Sequence, residues 1–214
     1  MKEMLITAGY ISIAIMAFAS WLIMFSGLDP STALSSKGVR ALRYFTVDSN
    51  LLMGVSALLC LFSKSFGTKV LLLAGTTAVS LTFFTVLCFL GPVLGFDKMY
   101  SGSNLYMHLI IPVLAVTMQI VSQNCTGLSF PVICWALLPT LVYALFYLRN
   151  ILKKGPEYDW YCLTKGGPKT YLPVIVCFML ATFLIASCLW MASGGSSMQM
   201  RILSFSLYRS LFPG

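Results

Sequence analysis

Six long hydrophobic runs, separated by short polar segments, dominate the pattern along the chain. They cover residues 5–27, 44–62, 70–94, 105–122, 129–149 and 171–193. Each is close to the roughly 20 apolar residues that a helix needs to cross the hydrocarbon of a bilayer. The apolar/polar alternation typical of strands is missing, and lipid offers no partner for exposed backbone groups. The pattern therefore predicts an all-α, polytopic membrane helix bundle with six transmembrane helices, forming one domain over residues 1–214.

Two details of the runs refine this prediction. The first run begins near Met4 and is followed by Asp29-Pro30 and a polar loop, without a small-residue cleavage site. We therefore expect a membrane span there and not a removed signal peptide. Pro112 and Pro139 lie inside the fourth and fifth runs, where a proline is expected to kink a membrane helix without ending it.

Composition supports a membrane protein and excludes other classes. Of the 214 residues, 58% are hydrophobic and only 9% are charged, whereas soluble domains have about 25% charged residues. The net charge of +8 lies in loops beside apolar runs, which favours anionic lipid headgroups over nucleic acid as partners. The seven cysteines lie mostly within the runs and form no C-x-x-C pair, so we interpret them as small buried side chains.

The polar loops differ between the two predicted faces of the membrane. The odd-numbered loops and their edges contain nine basic residues: Lys37, Arg40, Arg43, Lys98, Arg149, Lys153, Lys154, Lys165 and Lys169. The opposite face contains five: Lys2, Lys64, Lys69, Arg201 and Arg209. The positive-inside rule then predicts cytoplasmic odd loops, in the cell membrane if the source is bacterial. The odd loops are also the longer ones, so any chemistry is expected on that face.

A cluster of polar side chains begins the second predicted helix, in RYFTVDSNLL at residues 43–52. Helical spacing places Arg43, Thr46 and Asn50 on one stripe with Ser49 at its edge, and points Asp48 nearly the opposite way. The single histidine, His108, lies a few residues inside the fourth run. Both helices enter from the odd face, so Thr46 and His108 are expected at similar depth. Spacing alone does not determine whether the two helices are neighbours.

These residue types suggest a nucleophilic hydrolase site. A threonine hydroxyl needs a base to remove its proton, and neutral histidine is the usual base near pH 7. Asn50 or Ser49 is then the candidate oxyanion donor, and Arg43 or Arg40 the candidate group for a substrate carboxylate. Asp48 would support the site by orienting His108, or would pair with a loop base. The competing interpretation is structural, because Ser, Thr and Asn often bond between membrane helices.

Aromatic residues mark the end of the fifth run. Tyr143 and Tyr147 are four apart and share a helix face, after Trp135 and Pro139 and before GPEYDWYCL. An aromatic belt at the membrane interface is the plain interpretation. The functional alternative is a rim that binds part of a lipid, with Tyr143 and Tyr147 as substrate-binding residues.

Together, RYFTVDSNLL, YMHLIIP, the W-x3-P-x3-Y pattern of the fifth run and the following DWY resemble the six-span androgen-induced membrane protein family and its bacterial relatives. Animal members of that family hydrolyse fatty acid esters of hydroxy fatty acids with a threonine and a histidine. The resemblance implies that Thr46 and His108 play these roles. The TVDSN stretch is similar to the bacterial branch, so the resemblance does not fix the ester.

The residues therefore predict a lipid ester hydrolase that needs no metal or cofactor, and the resemblance implies fatty acid esters of hydroxy fatty acids or similar long-chain esters as substrates. The alternative is a non-enzymatic multi-pass protein, either a small transporter or a scaffold. Asp48 and His108 both lie near one boundary, and this disfavours a proton-coupled carrier, which needs ionisable groups near the midplane. A metal-dependent hydrolase ranks last, because one histidine and few carboxylates offer few ligands. The oligomeric state is not determined by the sequence.

Overall fold

The computed structural model describes residues 1–31, 36–161 and 167–195. Within this part of the chain, six helices are long and apolar enough to cross a membrane. They are α1 (Lys2–Ser26), α2 (Phe45–Phe62), α3 (Phe66–Leu94), α4 (Ser103–Val121), α5 (Phe130–Lys154) and α6 (Pro168–Ala192). No strand occurs among the described residues. The predicted class, an all-α multi-pass membrane bundle, is confirmed.

The helix ends differ from the predicted runs by a few residues. The largest shift is at the end of α5, which continues to Lys154 although the apolar run stops at Arg149. Lys153 and Lys154 lie in its last turn, where positive charge interacts favourably with the helix dipole. Three basic residues named in the sequence-based predictions, Lys165, Arg201 and Arg209, and one of the seven cysteines, Cys162, lie outside the described residues.

Helix α3 lies at the centre of the bundle, where it packs against α2, α4, α5 and α6. It is the most buried of the six helices, and α6 is the least buried. Small residues bring the first three helices close together. A Cβ placed on Gly54 of α2 would lie 3.0 Å from Ala17 Cβ of α1, and one on Gly75 of α3 would lie 3.1 Å from Met53 Cα. Membrane helices use such small residues for tight backbone contact.

Prolines distort three of the helices without ending them. Helix α4 contains a π turn at Tyr106–Ile110, immediately before Ile111 and Pro112. Pro112 has no N–H and its ring would clash with the carbonyl four residues earlier, on His108. The wider turn avoids this clash, with the Ile111 N–H bonded to Tyr106 O.

The same device recurs in α3, where a π turn at Val86–Leu90 precedes Pro92. In α5 the regular helix is interrupted at Leu137, two residues before Pro139. The predicted distortion at Pro112 and Pro139 is therefore present in both helices.

The loop after α1 is bonded to the start of α4. The Asp29 carboxylate accepts hydrogen bonds from the backbone N–H groups of Ser103 and Ser31, each at 3.1 Å, and from both of their hydroxyls. Partial burial alone would raise the pKa of the Asp29 carboxyl, but these bonds outweigh it and hold the pKa below its ordinary value. Gly102 has φ +54°, and any side chain on it would collide with Asp29 Oδ1. The hydrogen bonds from Ser103 to Asp29 cap the start of α4, which is the end of the helix that contains His108.

Candidate active site

Thr46 and His108 meet where the first turns of α2 and α4 lie side by side. Nε2 of His108 is 3.3 Å from Oγ1 of Thr46, across 62 positions of sequence. His108 is completely buried, and the Thr46 residue is 5% exposed. The structure thus brings together the two residues proposed as base and nucleophile, at a distance that allows direct proton transfer.

The second ring nitrogen of His108 determines which way this hydrogen bond runs. Nδ1 lies 2.8 Å from the carbonyl oxygen of Met99. A carbonyl oxygen can only accept, so Nδ1 carries the proton and Nε2 of the neutral ring has the free lone pair. The Thr46 hydroxyl therefore donates to Nε2. The Met99 carbonyl does the orienting task that a carboxylate performs in a Ser-His-Asp triad.

Local backbone structure explains why His108 points at Thr46. His108 lies within the π turn Tyr106–Ile110 that Pro112 imposes on α4. Such turns shift side chains relative to a regular helix and are frequent at functional sites. Met99 ends the short helix Phe96–Met99 in the preceding loop, and its carbonyl reaches the ring from there. Met99 was missed at the sequence level, because a backbone carbonyl leaves no signal in a side-chain pattern.

Asn50 connects the two halves of the site. Its Nδ2 donates to the carbonyl of Thr46 at 2.7 Å and to the carbonyl of Met107, next to His108, at 3.1 Å. Its Oδ1 is buried and has no hydrogen-bond partner in the described structure. Because both amide hydrogens are engaged by carbonyls, Asn50 presents no N–H to the Thr46 hydroxyl. The oxyanion donation predicted for Asn50 is therefore not present in the described structure, where its amide joins the backbones of α2 and α4 instead.

Ser49 is engaged in the same way. Its hydroxyl lies 3.0 Å from the Thr46 carbonyl and 3.1 Å from the hydroxyl of Thr82 in α3. Thr82 in turn donates to the carbonyl of Ala78. Ser49 therefore links α2 to α3 next to Thr46. Its hydroxyl is already bonded and is not free to donate to an oxyanion.

Asp48 lies outside the pair, as the helical spacing predicts. It lines a separate groove between α2 and α5, and the ring nitrogen it was expected to orient is bonded to Met99 instead. The only ion pair within the described residues joins Lys64 and Glu3 at the other end of the bundle. Neither supporting role suggested for Asp48 is therefore present in the described structure.

The two arginines occupy different settings. Arg43 donates to the Tyr44 hydroxyl at 2.5 Å, and its guanidinium carbon lies 4.7 Å from the centre of the Tyr44 ring and 5.5 Å from that of Trp160. This cation–π arrangement keeps a charge at the mouth of α2. Arg40 is exposed. Neither side chain lines the cavity beside Thr46, so their predicted contact with a substrate carboxylate remains a prediction.

A cavity with about 90 Å³ of space for the centre of a water-sized sphere, here called the Thr46 cavity, lies beside Thr46, and His108 is not part of its lining. Its walls come from α2, α3, α5 and α6 and are mostly aliphatic and aromatic. They include Leu81, Val86, Leu90, Val174, Ile175 and Phe178. Along α5 the lining runs from Thr140 to Ile151, about 16 Å at the helical rise of 1.5 Å per residue. That length is about half of the hydrocarbon thickness of roughly 30 Å, so the cavity is as long as one acyl chain.

Tyr143 and Tyr147 line the Thr46 cavity with their rings, which stack at 6.1 Å between centroids. Their hydroxyls point elsewhere. That of Tyr143 donates to Arg43 O at 2.7 Å, and that of Tyr147 donates to Asp159. The rings therefore form an apolar wall, in the place expected for a substrate-binding rim.

The loop after α5 closes this end of the cavity through Tyr161. Its hydroxyl accepts the N–H of Phe45, next to Thr46, at 2.8 Å. Burial raises the pKa of the Tyr161 phenol well above its ordinary value, so the group stays neutral and fixes the start of α2 as a hydrogen-bonding partner.

Comparisons with protein-family models, with curated proteins and with solved structures gave no match for this chain. Among the described residues, no group of three His, Cys, Asp or Glu side chains is arranged to hold a metal ion. The case for function therefore depends on the geometry of the site.

Proposed function

We propose that this membrane protein hydrolyses lipid esters, with Thr46 as nucleophile and His108 as general base. The observation that carries the proposal is the Thr46–His108 hydrogen bond, in the tautomer fixed by Met99, beside an apolar cavity as long as one acyl chain. A histidine within reach of a hydroxyl and itself oriented by a third group is the pattern of an activated nucleophile. The resemblance to the androgen-induced membrane protein family supports the same two roles.

The reaction follows from these positions. Oγ1 of Thr46 attacks the ester carbonyl carbon while Nε2 of His108 takes the hydroxyl proton. As the tetrahedral intermediate collapses, the imidazolium returns that proton to the departing alcohol and leaves an acyl-threonine. Water then attacks the acyl-threonine, His108 takes a proton from the water, and the same proton restores the Thr46 hydroxyl as the fatty acid leaves. Met99 stabilises the imidazolium of both steps through the Nδ1 proton.

Backbone N–H groups at the start of α2 are the proposed oxyanion donors. The first N–H groups of a helix have no partner inside it and carry partial positive charge. Those of Phe45, Val47 and Asp48 already donate to Tyr161 and to the Tyr44 carbonyl. The N–H of Thr46 is the first-turn donor that we assign to the developing negative charge.

The experiment is hydrolysis of long-chain esters by the purified chain and its variants. Thr46→Ala and His108→Ala should each lower kcat by about 10³-fold or more, whereas Thr46→Ser should keep part of the activity. Thr117→Ala is the matched control, because Thr117 lies outside the cavity lining and its hydroxyl donates to Val113 O. Full activity in both alanine variants would end the proposal.

Fatty acid esters of hydroxy fatty acids, or similar long-chain esters, are the proposed substrates. A non-enzymatic transporter or scaffold remains the alternative. A fluorophosphonate probe separates the two, since an activated hydroxyl is labelled covalently at Thr46 and an inert one is not. Loss of labelling in His108→Ala would show that activation depends on the histidine.

We also propose that the odd loops face the cytoplasm, on the basis of the distribution of basic residues. Single cysteines placed at Lys98 and Lys64, in a chain whose own cysteines are replaced, would report on the two faces. An impermeant thiol reagent added to intact cells should label position 64 and spare position 98. The reverse labelling pattern would mean that the odd loops face away from the cytoplasm. It would not affect the proposed chemistry of the site.

A further inference from the structure

A second concave region lies on the other side of the Phe45–Tyr143 ring pair, which forms a wall of both cavities. This region, here called the Asp48 groove, has a volume of about 570 Å³ and lies between α2 and α5. Its lining is apolar apart from Ser49, the Tyr143 hydroxyl and one carboxylate, that of Asp48. The Ser49 and Tyr143 hydroxyls are both bonded within the protein. Asp48 is therefore the one polar group of this lining available to a ligand.

Asp48 has no hydrogen-bond or ion-pair partner among the described residues. The nearest basic residue in sequence, Arg43, rests on the rings of Tyr44 and Trp160 instead. The positive end of the α2 dipole favours a negative charge at this position. An ionisable residue within a membrane span is costly without a partner and indicates a functional site.

The outer edge of the groove consists of exposed apolar side chains. Val142 is 64% exposed, Phe146 43% and Leu138 41%. In a bilayer these side chains contact acyl chains, so the groove is open to lipid. Asp48 lies in the first turn of α2, at the depth where the hydrocarbon gives way to headgroups. An amphiphile in the groove would thus place its apolar part against α5 and its polar head against the carboxylate.

We propose that the Asp48 groove binds a membrane lipid whose headgroup carries a primary ammonium. Such a group supplies both the opposite charge and the N–H donors that the carboxylate lacks, and charge-assisted bonds of this kind are the strong ones. A quaternary ammonium supplies charge without donors, and a hydroxyl supplies a donor without charge. The inference does not depend on the proposed hydrolase activity.

The test is native mass spectrometry of the purified full chain, titrated with dioleoyl phosphatidylethanolamine or dioleoyl phosphatidylcholine. The wild-type chain should retain the ethanolamine lipid at about tenfold lower concentration, as expected for one charge-assisted bond. Asp48→Asn should abolish this preference and Asp48→Glu should keep it. Asp97→Asn is the matched control, because Asp97 is an exposed acid at the same end of the bundle and outside the groove.

A groove-filling variant keeps the test independent of the folding of Asp48→Asn. Val142→Trp occupies the groove without removing the carboxylate, and should weaken the binding of both lipids. Equal retention of the two lipids by the wild-type chain, a preference that survives Asp48→Asn, or unchanged binding in Val142→Trp would overturn the proposal. So would a dimer mass that disappears in Asp48→Asn, since the groove would then be an interface between copies.

Discussion

The hydroxyl oxygen of Thr46 lies 3.3 Å from Nε2 of His108, and the amide of Asn50 bridges the backbone carbonyls of Thr46 and Met107 directly behind them. The distance between the proposed nucleophile and the proposed base is thus fixed by the side-chain amide of Asn50, which joins the two backbones, as well as by packing. In the proposed reaction, a displacement of even 1 Å between such groups costs about 10²-fold in rate.

Asn50→Leu tests this bridge, because leucine has a similar volume and no amide. We expect kcat for a long-chain ester to fall roughly 10–100-fold with little change in KM, since the cavity wall is unaffected. Asn150→Leu is the control, because Asn150 bonds a carbonyl of its own helix and does not line the cavity. Equal losses in the two variants would indicate a general effect on folding and no specific positioning role for Asn50.

Pro112→Ala tests the π turn that carries His108. An alanine N–H could restore the regular helical bond to the His108 carbonyl. We expect thermal stability to stay constant or rise, while esterase kcat falls by roughly tenfold or more because the imidazole is displaced. Pro131→Ala removes a proline at the start of α5, outside the cavity lining, and should leave kcat unchanged. Wild-type kcat in Pro112→Ala would show that the turn does not position the base.

Ile175→Trp tests whether the Thr46 cavity holds the acyl chain. Ile175 lines the cavity from α6, whereas its neighbour Val176 does not line it and is 45% exposed. Ile175→Trp should lower kcat/KM for C18 esters by about tenfold or more while short-chain esters react normally, because an overpacked cavity excludes the longer chain. Val176→Trp adds the same ring toward lipid and should change neither. An unchanged chain-length profile in Ile175→Trp would assign the chain to another site.

The sequence was informative about this site as far as depth and helix face are concerned. Counting spans placed Thr46 and His108 at one end of the bundle, and helical spacing turned Asp48 away from Thr46. Both inferences use only the period and length of helices, and each agrees with the structure. That α2 and α4 are neighbours was not predictable, because helix order around a bundle depends on packing across all six spans.

Other features left no side-chain signal. The partner of His108 is a backbone carbonyl, that of Met99, and the amide of Asn50 is bonded to two more. The spacing of Asn50 and Thr46 suggested that Asn50 donates to an oxyanion. In the structure its N–H groups bind the two nearest backbone carbonyls instead. The Thr46 cavity was also not predicted, because it is a gap between α2, α3, α5 and α6 that no single stretch of sequence describes.

Asp29→Asn tests the cap that fixes the start of α4. Asp29 accepts bonds from Ser31 and Ser103, which hold its folded-state pKa below the ordinary value. The stabilisation is therefore present at neutral pH and is lost as pH falls through that lowered pKa. Asn keeps the shape but loses the charge, so we expect it to cost about 1–2 kcal/mol at pH 7.

The same variant should also show a pH signature in thermal unfolding of the purified chain. The difference in melting temperature between wild type and Asp29→Asn should begin to narrow below about pH 4, because the Asp29 carboxyl of the unfolded chain takes up a proton there. The difference should close once the pH falls below the lowered pKa of the folded state. Asp97→Asn serves as the control. Asp97 is exposed in the loop before α4, so its substitution should not change the unfolding curve. A difference in melting temperature between wild type and Asp29→Asn that stays constant from pH 7 to pH 3 would mean that the Asp29 charge does not stabilise the start of α4.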